Sequence, residues 1–206
     1  KHIPISEVGP RDGLQSVETT LSTEAKLAWI EAEYAAGVRE IEVGSFVSPK
    51  LLPQMADTEA VVRGAQHLEG LIIAVLVPNV RGFESALRAG AHKISVPLSL
   101  SETHSLKNVR RTHAQMLDEI RSCLKLVEAM PESEKPVFEV GLSTAFGCTL
   151  EGVVPESFVV EMAERVLDLG VAEVGLSDTT GMGNPAQLER LLTGIWQRCG
   201  ESRLTG

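Results

Sequence analysis

The stretch Glu7–Gln15 contains the side chains with the clearest capacity for chemistry in this sequence. It follows a short apolar run, and its two glycines and its proline force the chain to turn. The turn places Arg11 beside Asp12 just past the carboxyl end of a predicted strand, where α/β folds carry their chemistry. A carboxylate there can hold a divalent cation, and a guanidinium can neutralise a developing oxyanion. Taken alone, the dipeptide is also typical of an exposed turn with a local ion pair.

Two further acids follow predicted strands, Glu42 on the second and Asp178 at the end of the sixth. In a closed barrel these carboxylates would converge with Asp12 near the axis, and buried carboxylates repel unless a metal, a proton or an arginine compensates. The set therefore predicts a metal-assisted acid–base site that includes Arg11. The alternative is that Glu42 and Asp178 are buried structural acids paired with Arg11 and with backbone donors.

Histidine and cysteine add little to this site. No histidine pair has a close metal-ligand spacing, so we interpret all five as surface residues: His2, His67, His92, His104 and His113. Cys148 follows a glycine at a strand end, and we interpret it as a lining thiol rather than a nucleophile. The segment Gly181–Pro185 lacks phosphate-loop spacing and indicates a turn before a helix.

A repeated junction organises the chain. Three segments share a helix-like stretch, a glycine and then a β-branched run: Ala36–Val43, Ala89–Val96 and Leu169–Leu176. Glycine at that point is typical of a helix end, so the repeat predicts successive αβ units. Six strands are predicted, at Ile3–Val8, Glu40–Phe46, Leu71–Val77, Lys93–Leu98, Val137–Ser143 and Glu173–Asp178. Helices are predicted from Ser22 to Gly37, around Asp57–His67, Gly82–Ala89 and Ser105–Met130, and from Pro155 and Pro185.

Consecutive βα units with short loops predict a TIM-type (β/α)₈ barrel, of which about the first six units are present. We expect residues 1–206 to form one incomplete barrel domain. A doubly wound parallel sheet is the second possibility.

Composition argues against several classes of protein. The 206 residues carry a formal net charge of −9 without a large basic cluster, which argues against general binding to nucleic acid or an anionic membrane. No apolar run is long enough to span a bilayer, and no signal-peptide core is present at the N-terminus. Three cysteines without a C-x-x-C pair favour reduced thiols in a cytoplasmic-type compartment, although a cleaved presequence would leave an organelle matrix open.

The quoted motifs resemble those of the 3-hydroxy-3-methylglutaryl-CoA lyase family. Glu7–Gln15 resembles the opening motif of that family, and Ser45–Lys50 followed by Pro53–Asp57 resembles the same branch of its metallolyase superfamily. Further matches are Pro78-Asn79 with Gly82-Phe83, Gly147-Cys148, and Asp178-Thr179 with Gly181. The similarity runs nearly from end to end and in order.

The resemblance implies a barrel enzyme that uses Mg²⁺ or Mn²⁺ to cleave hydroxymethylglutaryl-CoA to acetyl-CoA and acetoacetate, as in leucine degradation and ketone-body formation. It implies that Asp12 binds the metal and that Arg11 is catalytic, contacting the substrate and stabilising the enolate of the acetyl-CoA half. Glu42 and Asp178 are implied as catalytic acids that support the metal site and proton transfer. Substrate-binding roles are implied for Gln15 and Ser45.

The same resemblance implies an acyl-CoA partner, a homo-oligomer (dimer or tetramer), and a cytoplasmic location or, in a eukaryote, the mitochondrial matrix. In the family, a His-x-His on strand seven and an asparagine on strand eight complete the site, and a late glycine-rich loop carries a catalytic cysteine. These features are not among the 206 residues, and Cys148 does not match the loop cysteine. We therefore expect this chain by itself to be catalytically incomplete.

Two other functions stay open. One is a related aldol-type lyase or synthase acting on another acyl-CoA or a 2-oxo acid. The other is a non-catalytic αβ scaffold that associates through its open sheet edges.

Overall fold

A computed structural model describes residues 4–200 of the protein. In chain order the strands and helices are β1 Ser6–Glu7, α1 Thr23–Ala35, β2 Glu40–Ser45, α2 Thr58–Ala65, β3 Ile72–Leu76, α3 Val80–Ala89, β4 Lys93–Ser99, α4 Glu102–Asn108, α5 His113–Glu128, β5 Val137–Ser143, α6 Glu156–Asp168, β6 Glu173–Leu176 and α7 Pro185–Cys199. His2, and Ile3 of the predicted first strand, lie outside the described residues.

The strand order decides between the two predicted architectures. Within residues 4–200, six strands lie in one sheet in the order β1-β2-β3-β4-β5-β6, and the pairings of β1 to β4 and of β5 with β6 are parallel. A doubly wound sheet reverses its strand order at a switch point, and the described strands show no reversal. The prediction of six consecutive units of a (β/α)₈ barrel is therefore confirmed, and the doubly wound alternative is wrong.

The first of two compact units comprises, within the described residues, 4–95 and 130–136. β2 and the centre of β3 are buried on both faces, as expected for parallel strands covered by helices, whereas Ser6 of β1 is exposed. The fully buried side chains include Ile41 of β2, Ile73 of β3, Ile30 of α1, Val61 of α2 and Phe83 of α3. These residues form the apolar support beneath the turns that follow β1 and β2.

The second compact unit comprises residues 96–129 and, as far as they are described, 137–200. Its fully buried side chains include Met116 and Ile120 of α5, Leu142 of β5, Met162 of α6 and Ile195 of α7. The assignment of residues 1–206 to a single domain is not tested by this division and remains a prediction.

The glycine junctions are where the sequence places them. Gly37, Gly90 and Gly170 have φ angles of 106°, 85° and 103°, in the left-handed region that side chains disfavour. Each ends a helix and leads within a few residues to the next strand. The repeated αβ junction is confirmed.

Two predicted elements need correction. The predicted helix Ser105–Met130 is two helices, α4 and α5, because Arg110 adopts a φ of 57° and Thr112 begins a new helix with a capping box to Gln115. The first strand is shorter than predicted: Pro4 and Ile5 lie outside it, and it ends at Glu7, where the carboxylate accepts the Gly9 N–H at 2.6 Å and the chain turns. No helix within residues 4–200 is both long enough and apolar enough to cross a membrane.

A buried lysine, which the sequence did not indicate, joins α1 to the loop before α2. The Lys26 side chain is 3% exposed, and its Nζ donates to Asp57 Oδ1 and to the Gln54 carbonyl. Asp57 Oδ2 also accepts the Thr23 hydroxyl at 2.7 Å. The ion pair therefore attaches the loop that follows β2 to the first helix.

We expect Lys26→Met to destabilise the protein by about 2 kcal/mol, because it leaves the Asp57 carboxylate partly buried without its cation. Adding Asp57→Asn should recover part of that loss, since the uncompensated charge is removed. The exposed Lys107→Met is the matched control. Urea unfolding of the four proteins checks this, and an equal loss in the Lys26 and Lys107 variants would contradict it.

Candidate active site

The turn after β1 presents Arg11 and Asp12. Gly9–Gly13 form one π-helical turn. The N–H groups of Arg11 and Asp12 both donate to the Val8 carbonyl, at 3.1 and 2.7 Å. Pro10 is buried within the turn. Single π turns are rare and occur often at functional sites. The sequence correctly predicted an irregular turn here that carries the Arg–Asp pair.

Arg11 and Glu42 form the central contact of the first unit. Arg11 Nε donates to Glu42 Oε2 at 2.6 Å, and Arg11 Nη2 lies 2.5 Å from the same oxygen. The side chains are only 15% and 9% exposed. Glu42 lies where the register of β2 against β3 shifts, between Glu42 and Gly44. The guanidinium thus compensates a buried carboxylate, which is the contact that the structural interpretation of Glu42 predicts; its catalytic role is untested.

Asp12 and Gln15 lie on the exposed side of this pair. Asp12 Oδ1 accepts from Arg11 Nη1 at 2.7 Å and from Gln15 Nε2 at 3.3 Å, and the Asp12 side chain is 58% exposed. Its oxygens are of the type that Mg²⁺ and Mn²⁺ prefer. Within residues 4–200, however, no three His, Cys, Asp or Glu side chains are grouped to hold a metal ion. Asp12 therefore stays a predicted ligand, and residues 4–200 do not make a complete cation site.

Ser45, at the end of β2, has a buried hydroxyl without a partner. The residue is fully buried, and its Oγ makes no hydrogen bond to any part of the chain that the structure describes. Its carbonyl accepts the Thr58 hydroxyl at 3.1 Å. Ser45 also lines a cleft of about 390 Å³ together with Asn79 and Arg81. An unpaired buried hydroxyl beside a cleft is consistent with a substrate-binding role, which remains a prediction.

Asp178 belongs to the second unit, whereas the other predicted site residues belong to the first. Its Oδ1 accepts the Met182 N–H at 2.9 Å and its Oδ2 accepts the Gly183 N–H at 3.0 Å. Both oxygens therefore organise the turn between β6 and α7. The backbone donors are those that the structural alternative predicts for Asp178, but its prediction of a buried side chain is wrong, because Asp178 is exposed. The catalytic role of Asp178 stays a prediction.

Cys148 is fully buried after β5. Burial raises the pKa of its thiol, but hydrogen bonds from the Ser101 side chain and from the backbone at Leu150 and Glu151 outweigh burial, so that the net pKa is lower than the ordinary 9.0. The buried position agrees with the interpretation of a lining thiol, and its function is untested.

The histidines differ in their surroundings. His67 is exposed and 3.5 Å from a Glu31 carboxylate oxygen, whereas the His92 ring contacts the backbone at Leu71 and Ile73. His104 is half-buried, with Nδ1 3.0 Å from the Ser99 hydroxyl. The prediction of a surface position for His104 is wrong, because a lone histidine without a spaced partner gives no sequence signal for such a network. The buried Lys26 was missed for a similar reason, since its partner Asp57 is distant in sequence.

Glu151 secures the helix that carries His104. Its Oε1 accepts the Thr103 N–H at 2.7 Å, in the first turn of α4, and Ser101 Oγ accepts the His104 N–H at 3.1 Å. The side-chain and backbone hydrogen bonds of Thr103 are the main reason that the pKa of Glu151 is lower than its ordinary 4.5. The carboxylate and the serine together satisfy donors that a helix start leaves free.

The strand order and the polar strand ends define a (β/α)₈-barrel protein with acidic side chains at the carboxyl ends of its strands. The family model described as HMGL-like matches residues 2–205, and the chain belongs to this family. Dependence on a divalent metal is general in that family.

Relatives agree with this assignment. The chain is 38% identical over 198 residues to hydroxymethylglutaryl-CoA lyase YngG of Bacillus subtilis, covering 96% of this chain and 65% of that protein. It is 35% identical to the human mitochondrial hydroxymethylglutaryl-CoA lyase, covering 96% of this chain and 59% of the relative. The chain thus spans about three fifths of the length of these curated relatives.

Solved structures give the same result. The HMG-CoA lyase of Bacillus subtilis matches with a TM-score of 0.90 and 36% identity, over 99% of this chain and 67% of that one. An HMG-CoA lyase of Acinetobacter baumannii, solved with coenzyme A and 3-methylmalate, matches with a TM-score of 0.89 and 35% identity, over 98% of this chain and 65% of that one. The resemblance drawn from the motifs and the fold class are both confirmed.

The lowered pKa of Glu151 predicts a pH-dependent contribution to stability. A carboxyl whose pKa is lowered by folding stabilises the folded state above its unfolded pKa and loses that contribution as the pH falls through the folded pKa. We therefore expect wild type to be more stable than Glu151→Gln at neutral pH, and the difference to shrink below pH 4.5. Urea unfolding of both proteins from neutral pH to below pH 4.5 measures this difference in stability. A difference that does not change with pH would refute the lowered pKa of Glu151.

Proposed function

We propose that this chain is part of a lyase that cleaves hydroxymethylglutaryl-CoA to acetyl-CoA and acetoacetate. The observation that carries the proposal is the largely buried Arg11–Glu42 pair, with Arg11 also bonded to exposed Asp12 at the end of β1. Membership of the HMGL-like family and the names of the similar proteins support it. Acyl-CoA as the substrate class is supported by the relative that holds coenzyme A.

Arg11 is the group that stabilises the transition state in this proposal. Cleavage of the carbon–carbon bond leaves negative charge on the enolate of the acetyl-CoA half, and a cation preorganised beside that oxygen lowers the barrier. Glu42 binds the inner edge of the guanidinium through Nε and Nη2, and it thereby sets the direction in which the group can meet substrate. Gln15 and Ser45 are proposed to contact the substrate.

Proton transfer is assigned to the acids. The hydroxyl proton of the substrate must leave as the bond breaks, and the enolate must gain a proton to become acetyl-CoA. We propose Glu42 and Asp178 for these transfers and for support of the metal site. Asp12 is proposed as one ligand of Mg²⁺ or Mn²⁺, whose positive charge would stabilise the alkoxide formed from the hydroxyl. Among residues 4–200, no other His, Cys, Asp or Glu side chains group with Asp12 to complete that site.

Assembly and compartment belong to the same proposal. We propose a homo-oligomer, located in the cytoplasm or, in a eukaryotic cell, in the mitochondrial matrix. Similar proteins are named as mitochondrial in human and cytoplasmic in Danio rerio, which supports both locations. Light scattering of the full-length protein tests the oligomer, and a monomer would contradict it.

We expect Arg11→Lys in the full-length protein to lower kcat by about 10²–10³-fold. Lysine keeps the positive charge but lacks the planar guanidinium, whose N–H groups can donate to Glu42 and to the developing oxyanion at the same time. Arg121→Lys is the matched control, since Arg121 forms an exposed ion pair on α5. Acetoacetate release from hydroxymethylglutaryl-CoA with Mg²⁺ or Mn²⁺ is the measurement. Wild type that releases none, or that prefers another acyl-CoA or a 2-oxo acid, would overturn the proposal.

Ser45→Ala should separate stability from binding. Removing an unpaired buried hydroxyl should stabilise the free protein by about 1 kcal/mol, while KM for the acyl-CoA rises. Ser122→Ala, whose hydroxyl donates to the Asp118 carbonyl at 2.9 Å, should bring no such gain. Thermal unfolding and steady-state kinetics check both effects; a less stable Ser45 variant with unchanged KM would count against the substrate-binding role.

A further inference from the structure

Short hydroxyl side chains connect the strand ends of the second unit. Ser99 ends β4, Thr144 follows β5, and Thr179 follows β6. The Thr144 hydroxyl lies 3.2 Å from that of Ser99, and the Thr144 N–H donates to Thr179 Oγ1 at 2.9 Å. Thr179 is adjacent to the predicted catalytic Asp178. His104 is the outer member of this network.

The hydrogens of the network can be assigned by counting donors. A hydroxyl has one hydrogen, and Thr144 Oγ1 uses its own to donate to the Ser143 carbonyl at 2.6 Å. It must therefore accept from the Ser101 N–H, at 3.1 Å, and from the Ser99 hydroxyl. With the Ser99 hydrogen used in this way, Ser99 Oγ must accept from His104 Nδ1, 3.0 Å away. The network therefore places a hydrogen on Nδ1 of His104.

The opposite assignment is unfavourable. If Ser99 donated to His104, the Ser99 and Thr144 oxygens would face each other without a hydrogen, and both residues are buried. A buried polar pair without a hydrogen bond is costly. In neutral His104, Nε2 is thus a bare acceptor, and it has no hydrogen-bond partner among residues 4–200.

Backbone strain indicates that the network does more than support the fold. Thr144 has a φ of 59°, a conformation that a β-branched residue adopts only when its surroundings enforce it. Its hydroxyl and its N–H, bonded to the turns after β4 and β6, supply that enforcement. Strained residues of this kind cluster at binding and catalytic sites.

We propose that His104 is a substrate-binding residue, which donates from Nδ1 to the Ser99–Thr144 network and accepts at Nε2 a hydrogen bond from a hydroxyl or amide N–H of an acyl-CoA. This inference rests on the proposed function for the class of ligand. The carboxyl ends of barrel strands are where substrates bind, and α4 begins directly after β4 with its first turn secured by Ser101 and Glu151.

The tautomer is tested first. Nitrogen-15 NMR of the imidazole rings, with His104→Asn used to assign the signal, should show neutral His104 with its hydrogen on Nδ1. A hydrogen on Nε2 would overturn the inference, whatever the enzyme does.

Two substitutions then separate the ring nitrogens in the full-length protein. The His104→Asn amide can replace the Nδ1 donor and offers nothing at Nε2, so stability should remain near wild type while KM rises about tenfold, the effect of one lost hydrogen bond. His104→Gln can replace the Nε2 acceptor and not the Nδ1 donor, so it should lose stability and retain more of the affinity. His67→Asn is the exposed control.

Binding of free coenzyme A identifies the donor. If His104→Asn weakens both coenzyme A and the hydroxyacyl-CoA, the partner is an amide of the pantetheine arm; if it weakens only the hydroxyacyl-CoA, the partner is the hydroxyl. Unchanged affinity for both overturns the inference while wild-type cleavage leaves the proposed function intact. Wild type that binds neither ligand overturns both.

Discussion

Arg11 is a cationic side chain of which most is removed from water. A guanidinium in that position requires a carboxylate, and Glu42 supplies it from the neighbouring strand. The contact depends on the parallel pairing of β1 with β2, in which Glu7 lies beside Ile41, and it lies at the register shift of β2. The Arg11 guanidinium also donates from Nη1 to Asp12, and it therefore orders that exposed carboxylate as well.

In the second unit, neutral hydroxyl groups rather than an ion pair satisfy the polar groups at the strand ends. The turns after its strands leave backbone donors and acceptors in a buried region, and hydroxyls of serine and threonine satisfy them. The buried Ser99 and Thr144 hydroxyls are satisfied in one arrangement, since rotating either of them leaves a buried group without a partner. That explains how the structure holds Thr144 in a conformation that its side chain disfavours.

Several residues near the strand ends are in environments or conformations that their residue types disfavour. The buried Ser45 hydroxyl has no partner among residues 4–200, Thr144 has a positive φ, and Arg11 is a largely buried cation. Natural proteins concentrate such departures at functional sites and compensate for them elsewhere. In the first unit, Arg11 and Ser45 are accompanied by the fully buried apolar side chains Ile41 and Ile73 and by the Lys26–Asp57 pair, which secures the loop after β2.

The sequence by itself determined the succession of βα units, because β-branched runs, glycine junctions and apolar helix stripes are local signals. It also identified the Arg11–Asp12 turn, since glycine and proline limit the backbone wherever they occur. It misjudged the break between α4 and α5, where Arg110 takes a positive φ that its residue type does not announce. The sequence left open whether Glu42 pairs with Arg11, and the tertiary structure made that pair. Only the tertiary structure buried Lys26 against Asp57 and joined His104 to Ser99 and Thr144. These contacts mostly join residues far apart in the chain, and their geometry depends on strand register and on competition for single hydrogens, which no local pattern encodes.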